Sequence, residues 1–338
     1  MTDVAVIAVD GGNSKTDLAL VGAGGDLLAL VRRPLSSPYH LGASGALEVI
    51  DNLLAEALDE ASLPRAADAP IAEVAQLQMA GVDFPSEEAE FHEAASQCGW
   101  ARRVNVGNDT FAVLRAGSER GWGVAVVCGA GINCVGIAPD GRHARFPALG
   151  WITGDWGGGY DVGMAAVTAA ARSEDGRGPR TSLEQSVPAH FGVATPLELA
   201  EAFHRRLLPE RRVTELPRLV FREAADDAVA CGIVDRLASE VVTFARAALT
   251  RLELEREPVD VVLGGGLLQA GDGRLTAAIE AGLRDVGREI TVRAATLPPV
   301  AGAALLGLDA LGAPPEARER LREQILGAAE QLSGREVS

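Results

Sequence analysis

Apolar positions along this chain recur with two different periods. From Val4 the run VAVIAV is continuously apolar and breaks at Asp10-Gly11-Gly12. Thr16 to Val21 (TDLALV) is a second β-type run, GAGGD at 22–26 has turn chemistry, and LLALVRR from Leu27 is a third. Strand, tight glycine turn, strand, glycine turn, strand is the order this predicts, with polar side chains at the first tip. The period then lengthens. Between Ser44 and Leu63, Leu47, Ile50, Leu54, Ala57, Leu58 and Ala61 form one helical stripe. AQLQM at 75–79 reads as a strand, Glu87 to Cys98 as a helix, and RRVNV at 102–106 as a strand ending in Gly107-Asn108-Asp109. Thr110 to Ala116 follows as a short helix.

At Gly121 the opening pattern returns. GWGVAVVCGAGINCVGIAPDGRHAR is an apolar strand, a glycine turn at Gly129-Ala130-Gly131, a strand from Cys134 to Ile137, and a turn at Pro139-Asp140-Gly141. The echo predicts two related α/β halves, each presenting a hairpin to the cleft between them. Helical patterns follow at about Asp161–Arg172 and Leu197–Leu207, and in one long stretch from Arg218 to Arg256. Ser173 to Pro188, rich in Gly, Pro and Ser, reads as a surface loop. Val259 to Leu263 is a buried-type strand ending in Gly264-Gly265-Gly266. Leu275–Val286 is helical, ITVRA is the last strand, and Ala301–Leu311 and Glu316–Leu332 are the closing helices.

Composition narrows the class. The 338 residues suffice for two domains, 47% are apolar and 4% aromatic, and the net charge is −16. That describes an aliphatic globular core and argues against a nucleic-acid or anionic-membrane surface. The start MTDVAVIAVDGG enters a strand with no basic region, so no signal peptide is expected, and no apolar run approaches a bilayer span. Cys98, Cys128, Cys134 and Cys231 form no C-x-x-C pair, so free thiols in a reducing cytoplasm are the default. A strained disulfide across the glycine turn at Cys128 and Cys134 is the alternative.

The first tip carries the candidate chemistry. A P-loop requires glycine before the lysine, but Ser14 precedes Lys15; adjacent Gly11 and Gly12 also break the dinucleotide pattern. A glycine turn between strands can still grip phosphate, because successive N–H groups form an anion nest. Gly11 and Gly12 would supply positive φ and close approach, Lys15 a charge, and Ser14 and Thr16 hydroxyls. Asp10 at the strand end suits Mg²⁺, directly or through its water shell, or is a plain turn residue. A hairpin with a solvated tip is the plainer reading of the whole stretch.

Five segments together resemble the N-acetylglucosamine kinase branch of the BadF/BadG/BcrA/BcrD ATPase family, within the sugar kinase/heat-shock protein/actin superfamily. They are DGGNSKTD at 10–17, GND at 107–109, CGAGINC at 128–134, LGWITGDWGGGYDVG at 149–163 and LGGGLL at 263–268. The resemblance implies two actin-like (ribonuclease H-like) α/β domains. Each would hold a mixed sheet with an N-terminal hairpin unit and flanking helices, with the active-site cleft between them. The domains would be 1–116 and 117–338, the terminal helix at about 314–333 packing back toward the first. It implies ATP held by Gly11, Gly12, Asn13, Ser14, Lys15 and Thr16, by Gly129, Ala130 and Gly131, and by Gly264, Gly265 and Gly266. Mg²⁺ would lie near Asp10. Asp109 would be the general base, needing no raised pKa because the proton leaves late in a loose transition state. Asn108, Asp109, Asn133, Gly150, Trp151 and Asp155 would meet the sugar.

The activity implied is ATP-dependent phosphorylation of N-acetylglucosamine at its 6-hydroxyl. Other sugar acceptors, a 2-hydroxyacyl-CoA dehydratase activator and a non-catalytic sugar sensor are the alternatives. The partner implied is a small-molecule sugar, in a cytoplasmic protein that could be a homodimer. Plainer readings stand beside these roles. Asp109 could be a helix N-cap, Asp155 an Asx-turn residue and Lys15 a solvated lysine; Trp151 and Trp156 could be partly buried rather than sugar platforms. The five histidines are read as structural. One departure stands out: after Gly-Asp the family's usual run is Glu-Gly-Ser, whereas this chain has Trp156-Gly157-Gly158.

Overall fold

The computed structural model describes residues 4–65, 69–270, 272–287 and 289–335. They gather into two compact units, one made of the described residues up to 123 together with those from 295 on, the other of those between 124 and 294. Each is an α/β unit built on a mixed five-stranded sheet.

The first unit opens with β1 (Val4–Gly11), β2 (Lys15–Gly22) and β3 (Leu27–Pro34), then α1 (Pro38–Glu60), β4 (Ala72–Met79), α2 (Pro85–Ser96), β5 (Ala101–Asn108) and α3 (Asp109–Gly117). The sheet order is β3-β2-β1-β4-β5. β1, β2 and β3 pair antiparallel, whereas β1–β4 and β4–β5 are parallel. β1 is buried on both faces, which is why its sequence is a continuous apolar run. Ile7 and Val9 join Leu18, Leu20, Ile50, Leu54 and Phe91 in one core. Val6 and Ala8 join Ala19, Ala112, Leu305 and Leu308 in another.

The second unit holds β6 (Gly123–Cys128), β7 (Ile132–Ile137), β8 (His143–Arg145), α4 (Gly158–Glu174), α5 (Leu183–His190), α6 (Pro196–His204), α7 (Pro217–Glu223), α8 (Ala228–Leu252), β9 (Val259–Gly264), α9 (Gly266–Gln269), α10 (Gly273–Arg284) and β10 (Ile290–Ala294). Its sheet runs β10-β9-β6-β7-β8, with β9 parallel to both β6 and β10 and β7–β8 antiparallel. The chain then returns to the first unit as α11 (Pro299–Ala310) and α12 (Pro315–Arg335).

Several boundaries differ from the sequence reading. The two units divide at 123/124, where 116/117 was expected, and the described residues from 295 on gather with the first unit, toward which only the terminal helix was expected to pack. The cause is packing. At Gly302 a Cβ would lie 1.8 Å from the Ala112 carbonyl oxygen, so only glycine lets α11 seat against α3. Arg115 and Asp309 then join the two helices at 2.7 Å. α1 starts at Pro38, six residues early, and is kinked at Gly42, because Pro38 suits a first helical position. The expected loop 173–188 contains most of α5, which buries Leu183 and Val187. The long helix expected from 218 to 256 is two. Asp227 interrupts it, accepting the N–H groups of Val229 and Ala230, each at 2.8 Å, as the cap of α8. β7 begins at Ile132, two residues before the expected Cys134.

Candidate active site

In the first unit, one register level carries polar side chains on four of the five strands and a glycine on the fifth. Arg32 on β3 pairs with Asp17 on β2, Asp17 with Asp10 on β1, Asp10 with Gln78 on β4, and Gln78 with Gly107 on β5. Asp10, Asp17 and Gln78 are buried. Arg32 satisfies Asp17 through two bonds, 2.6 and 3.0 Å. Asp10 is different. Burial first, then the charges of Asp109 and Asp17, push its carboxyl well above the usual carboxylate range, with Lys15 and Arg32 opposing. The Gln78 side chain lies over Gly107, and its Oε1 is buried without a hydrogen-bond partner. A crowded carboxylate beside an orphaned amide oxygen is a donor set that a hydrated divalent cation would relieve.

Asp109 opens α3 directly after β5. Its N-cap is Asn108, so capping does not account for Asp109. The Asn108 side chain accepts the Thr110 N–H at 3.0 Å and donates to the Asp83 carboxylate at 2.8 Å. That role is positional: it joins β5 and α3 to the loop after β4. Burial raises the Asp109 carboxyl to about 6, while N–H groups at the start of α3 pull the other way. The resemblance required no raised pKa at Asp109; burial raises it all the same.

The first tip is built by close approach, not by positive φ. Neither Gly11 nor Gly12 adopts the left-handed region. A Cβ on Gly11 would meet Met79 at 2.4 Å and one on Gly12 the Lys15 carbonyl oxygen at 2.8 Å. Gly12 N–H donates to that same carbonyl, at 2.9 Å, and closes the turn. Asn13 and Ser14 are exposed at the tip. Lys15 lies 4.0 Å from Asp17, so its charge is shared with the polar row. Thr16 is buried and donates to Ser36 at 2.8 Å, which makes it a strut of the hairpin.

In the second unit, the glycine turn after β6 rests on the start of α4. Gly159 N–H donates to the Gly129 carbonyl at 2.8 Å and Tyr160 N–H to the Ala130 carbonyl at 2.9 Å. The first helical N–H groups are thereby spent on the loop. Gly158 has φ +77°, and a Cβ there would lie 2.3 Å from the Gly131 carbonyl oxygen. Gly265 has φ +82°, and a Cβ would lie 2.3 Å from the Cys128 carbonyl oxygen, bringing the third glycine segment against the second. Gly129, Gly131 and Gly266 differ: a Cβ at any of them would meet nothing within 4 Å. Their missing side chains leave space at the loop surface, the condition for a ligand to lie on backbone. Cys128 and Cys134 are free thiols, and burial pushes the Cys128 thiol up to about 12.

Segment 149–157 carries three of the predicted sugar residues, Gly150, Trp151 and Asp155. The Gly150 carbonyl accepts the N–H groups of Thr153, Gly154 and Asp155, the last at 3.0 Å, and Thr153 hydroxyl donates to Asp155. Asp155 is thus tied into a turn. Asn133 Oδ1 accepts the Cys134 N–H at 2.7 Å. Trp151 is 90% exposed, so core burial does not explain it. Trp156 is half-buried beneath the guanidinium of Arg236. Sequence reading missed Asp17, Ser36, Gln78 and Arg236. The first and third carried a signal, a polar residue inside an otherwise apolar strand run.

The profile of the BadF/BadG/BcrA/BcrD ATPase family matches residues 7–307. An N-acetylmuramic acid/N-acetylglucosamine kinase from Clostridium acetobutylicum is 27% identical over 267 residues, 78% of this chain and 85% of that protein. An N-acetyl-D-glucosamine kinase from Dictyostelium discoideum is 24% identical over 312 residues, 90% of this chain and 97% of that one. A solved structure from Chromobacterium violaceum, provisionally named an N-acetylglucosamine kinase, superposes with TM-score 0.72 at 24% identity, covering 91% of this chain and 100% of that chain. At that identity the likeness shows the fold. Among the described residues no helix is long and apolar enough to cross a membrane.

Proposed function

Because the chain belongs to the BadF/BadG/BcrA/BcrD ATPase family, we propose that it transfers the γ-phosphoryl group of ATP to a hydroxyl of an amino sugar. N-acetylglucosamine, phosphorylated at its 6-hydroxyl, is the simplest acceptor. The observation that carries the reading is Asp109, next to the N-cap residue Asn108 and raised to about 6 by burial. The names of the two curated relatives, both amino-sugar kinases, support it.

The chemistry follows from the residues. Asp109 accepts the proton of the attacking hydroxyl as the new O–P bond forms. A carboxylate near 6 is ionised at neutral pH yet basic enough to share that proton, close to the optimum for a general base. The start of α3 holds the anion before transfer, and burial favours the neutral acid after it. The 12–15 turn, with Asn13 and Ser14 exposed, and the open surface at Gly129 and Gly131 offer backbone and hydroxyl donors to phosphate oxygens. Gly266, open on its Cβ side, offers the nucleoside a flat backbone. Asp10 and Gln78 would hold Mg²⁺ through its water shell, and the ion's part is to neutralise charge on the phosphate oxygens. Asn133, Asp155 and Trp151 are the proposed sugar contacts, with Asn108 holding Asp109 in place.

The test is sugar-dependent ADP release measured with N-acetylglucosamine, glucosamine, N-acetylmannosamine, N-acetylmuramic acid and glucose. An amino sugar should raise ADP formation well above the hydrolysis background. Failure of every sugar to do so would overturn the reading.

A further inference from the structure

Trp156 stands where the resemblance leads one to expect glutamate, and the substitution changes what that position can bind. A carboxylate accepts hydroxyl hydrogens; an indole accepts none and has a single N–H to donate. The structure shows what accompanies the change. Arg236, on α8, lays its guanidinium over the Trp156 ring, with Cζ 4.0 Å from the centroid.

Three of the four surrounding carboxylates are engaged elsewhere. Asp155 accepts the Thr153 hydroxyl. Asp161, in the first turn of α4, accepts the Gly157 N–H at 2.9 Å. Asp235, next to Arg236 in sequence, lies 3.5 Å from Arg274. Glu240, four residues along α8, feels the Arg236 charge and is raised mainly by burial, with Asp155 and Asp161 adding to the rise. Among the described residues the Trp156 ring is the contact recorded for Arg236, with no carboxylate within ion-pair reach. An exposed guanidinium, fixed in orientation by an aromatic platform and with its N–H groups uncommitted, matches a carboxylate's two oxygens. The indole beside it matches an apolar substituent.

We propose that the Trp156–Arg236 pair determines acceptor specificity, selecting an amino sugar that carries a carboxylate on an O-linked alkyl substituent. This rests on the kinase reading and deepens it. The guanidinium takes the carboxylate while the indole packs against the alkyl part. A neutral sugar leaves the guanidinium in water and gains nothing from it.

The experiment compares kcat/KM for N-acetylmuramic acid, its carboxyl methyl ester and N-acetylglucosamine, in the unmodified enzyme and in Arg236→Gln. The free acid should exceed its ester by about tenfold or more, as a charge-assisted pair warrants, and the margin should shrink as salt rises. Arg236→Gln should bring the acid-to-ester ratio close to one. Equal rates for acid and ester in the unmodified enzyme overturn the proposal. So does an unchanged ratio in a variant that melts at the original temperature. If the variant does not fold, the acid and ester rates of the unmodified enzyme decide alone. Turnover of N-acetylglucosamine without preference for the acid sinks this inference and leaves the kinase reading standing. No ADP release with any sugar removes both.

Discussion

The side-chain oxygen of Asn108 accepts the backbone N–H of Thr110 at 3.0 Å and its hydroxyl at 2.6 Å. Asp109 stands between these two residues and is not the N-cap, although its carboxylate also draws on the Thr110 N–H. The group that starts the helix and the group available for chemistry are therefore adjacent residues.

Asn108→Ala removes the cap and the Asn108 hydrogen bond to Asp83. A cap is worth about 1 kcal/mol and a hydrogen bond to a charged acceptor about 1.5 kcal/mol or more, so a loss of about 2–3 kcal/mol is expected. Asn108→Asp keeps a good cap but loses the donor, and should fall between wild type and alanine. Urea unfolding midpoints check the order. If Asn108 only touched sugar, all three proteins would unfold alike.

Asp109→Asn should lower kcat by about 10²–10⁴-fold while sugar binding persists, since an amide cannot take the proton. Stability should move the other way. The folded carboxyl titrates near 6, above its ordinary 3.8. The native state therefore holds this proton more tightly than the unfolded chain. The resulting stabilisation is full below about 4 and is lost as pH rises through about 6. At pH 7 the charged group costs up to about 2–3 kcal/mol, which the neutral amide removes. The variant's stability advantage should thus grow between pH 4 and pH 7 in parallel denaturation curves. In the wild type, kcat/KM should fall with a slope of one below about pH 6.

Two glycines where the β6–β7 turn meets the start of α4 should respond oppositely. Gly129→Ala places its Cβ in open space, so melting should be unchanged while the KM for ATP rises about tenfold or more as the methyl intrudes on bound phosphate. Gly158→Ala forces a Cβ to 2.3 Å from a backbone oxygen at φ +77°, and should cost about 3 kcal/mol or more. Calorimetry with ATP titration separates the two. An unchanged KM in Gly129→Ala would remove the loop from nucleotide binding.

Chelation of divalent cations should abolish ADP release, and Mg²⁺ should restore it. Asp10→Asn should raise the half-saturating Mg²⁺ concentration about tenfold or more. It should also stabilise the metal-free protein, because it removes a buried charge beside Asp109 and Asp17. Unaltered Mg²⁺ dependence would disconnect Asp10 from the ion.

Much of the architecture was legible because it is local. The hairpins at 4–34 and 123–145 follow from alternating apolar runs and glycine turns, and the α1 stripe from its helical spacing. The breaks at Asp227 and Pro38 were also written in the sequence, as an N-cap residue and a first-turn proline, but a longer periodic pattern masked them.

What the sequence determined by itself was the set of polar and glycine positions that interrupt apolar runs: Asp10, Asn108, Asp109 and the three glycine segments. What the tertiary structure decided was their roles. Asn108 rather than Asp109 became the cap because the loop at 82–83 lies within its reach. Asp10 became the crowded carboxylate because β2, β4 and β5 bring Asp17, Gln78 and Gly107 to its level. Gly158 and Gly265 became obligatory, and Gly129 and Gly131 open, by where backbone from distant segments arrives. Desolvation and steric room are sums over neighbours far apart in the chain, so spacing along one strand cannot encode them.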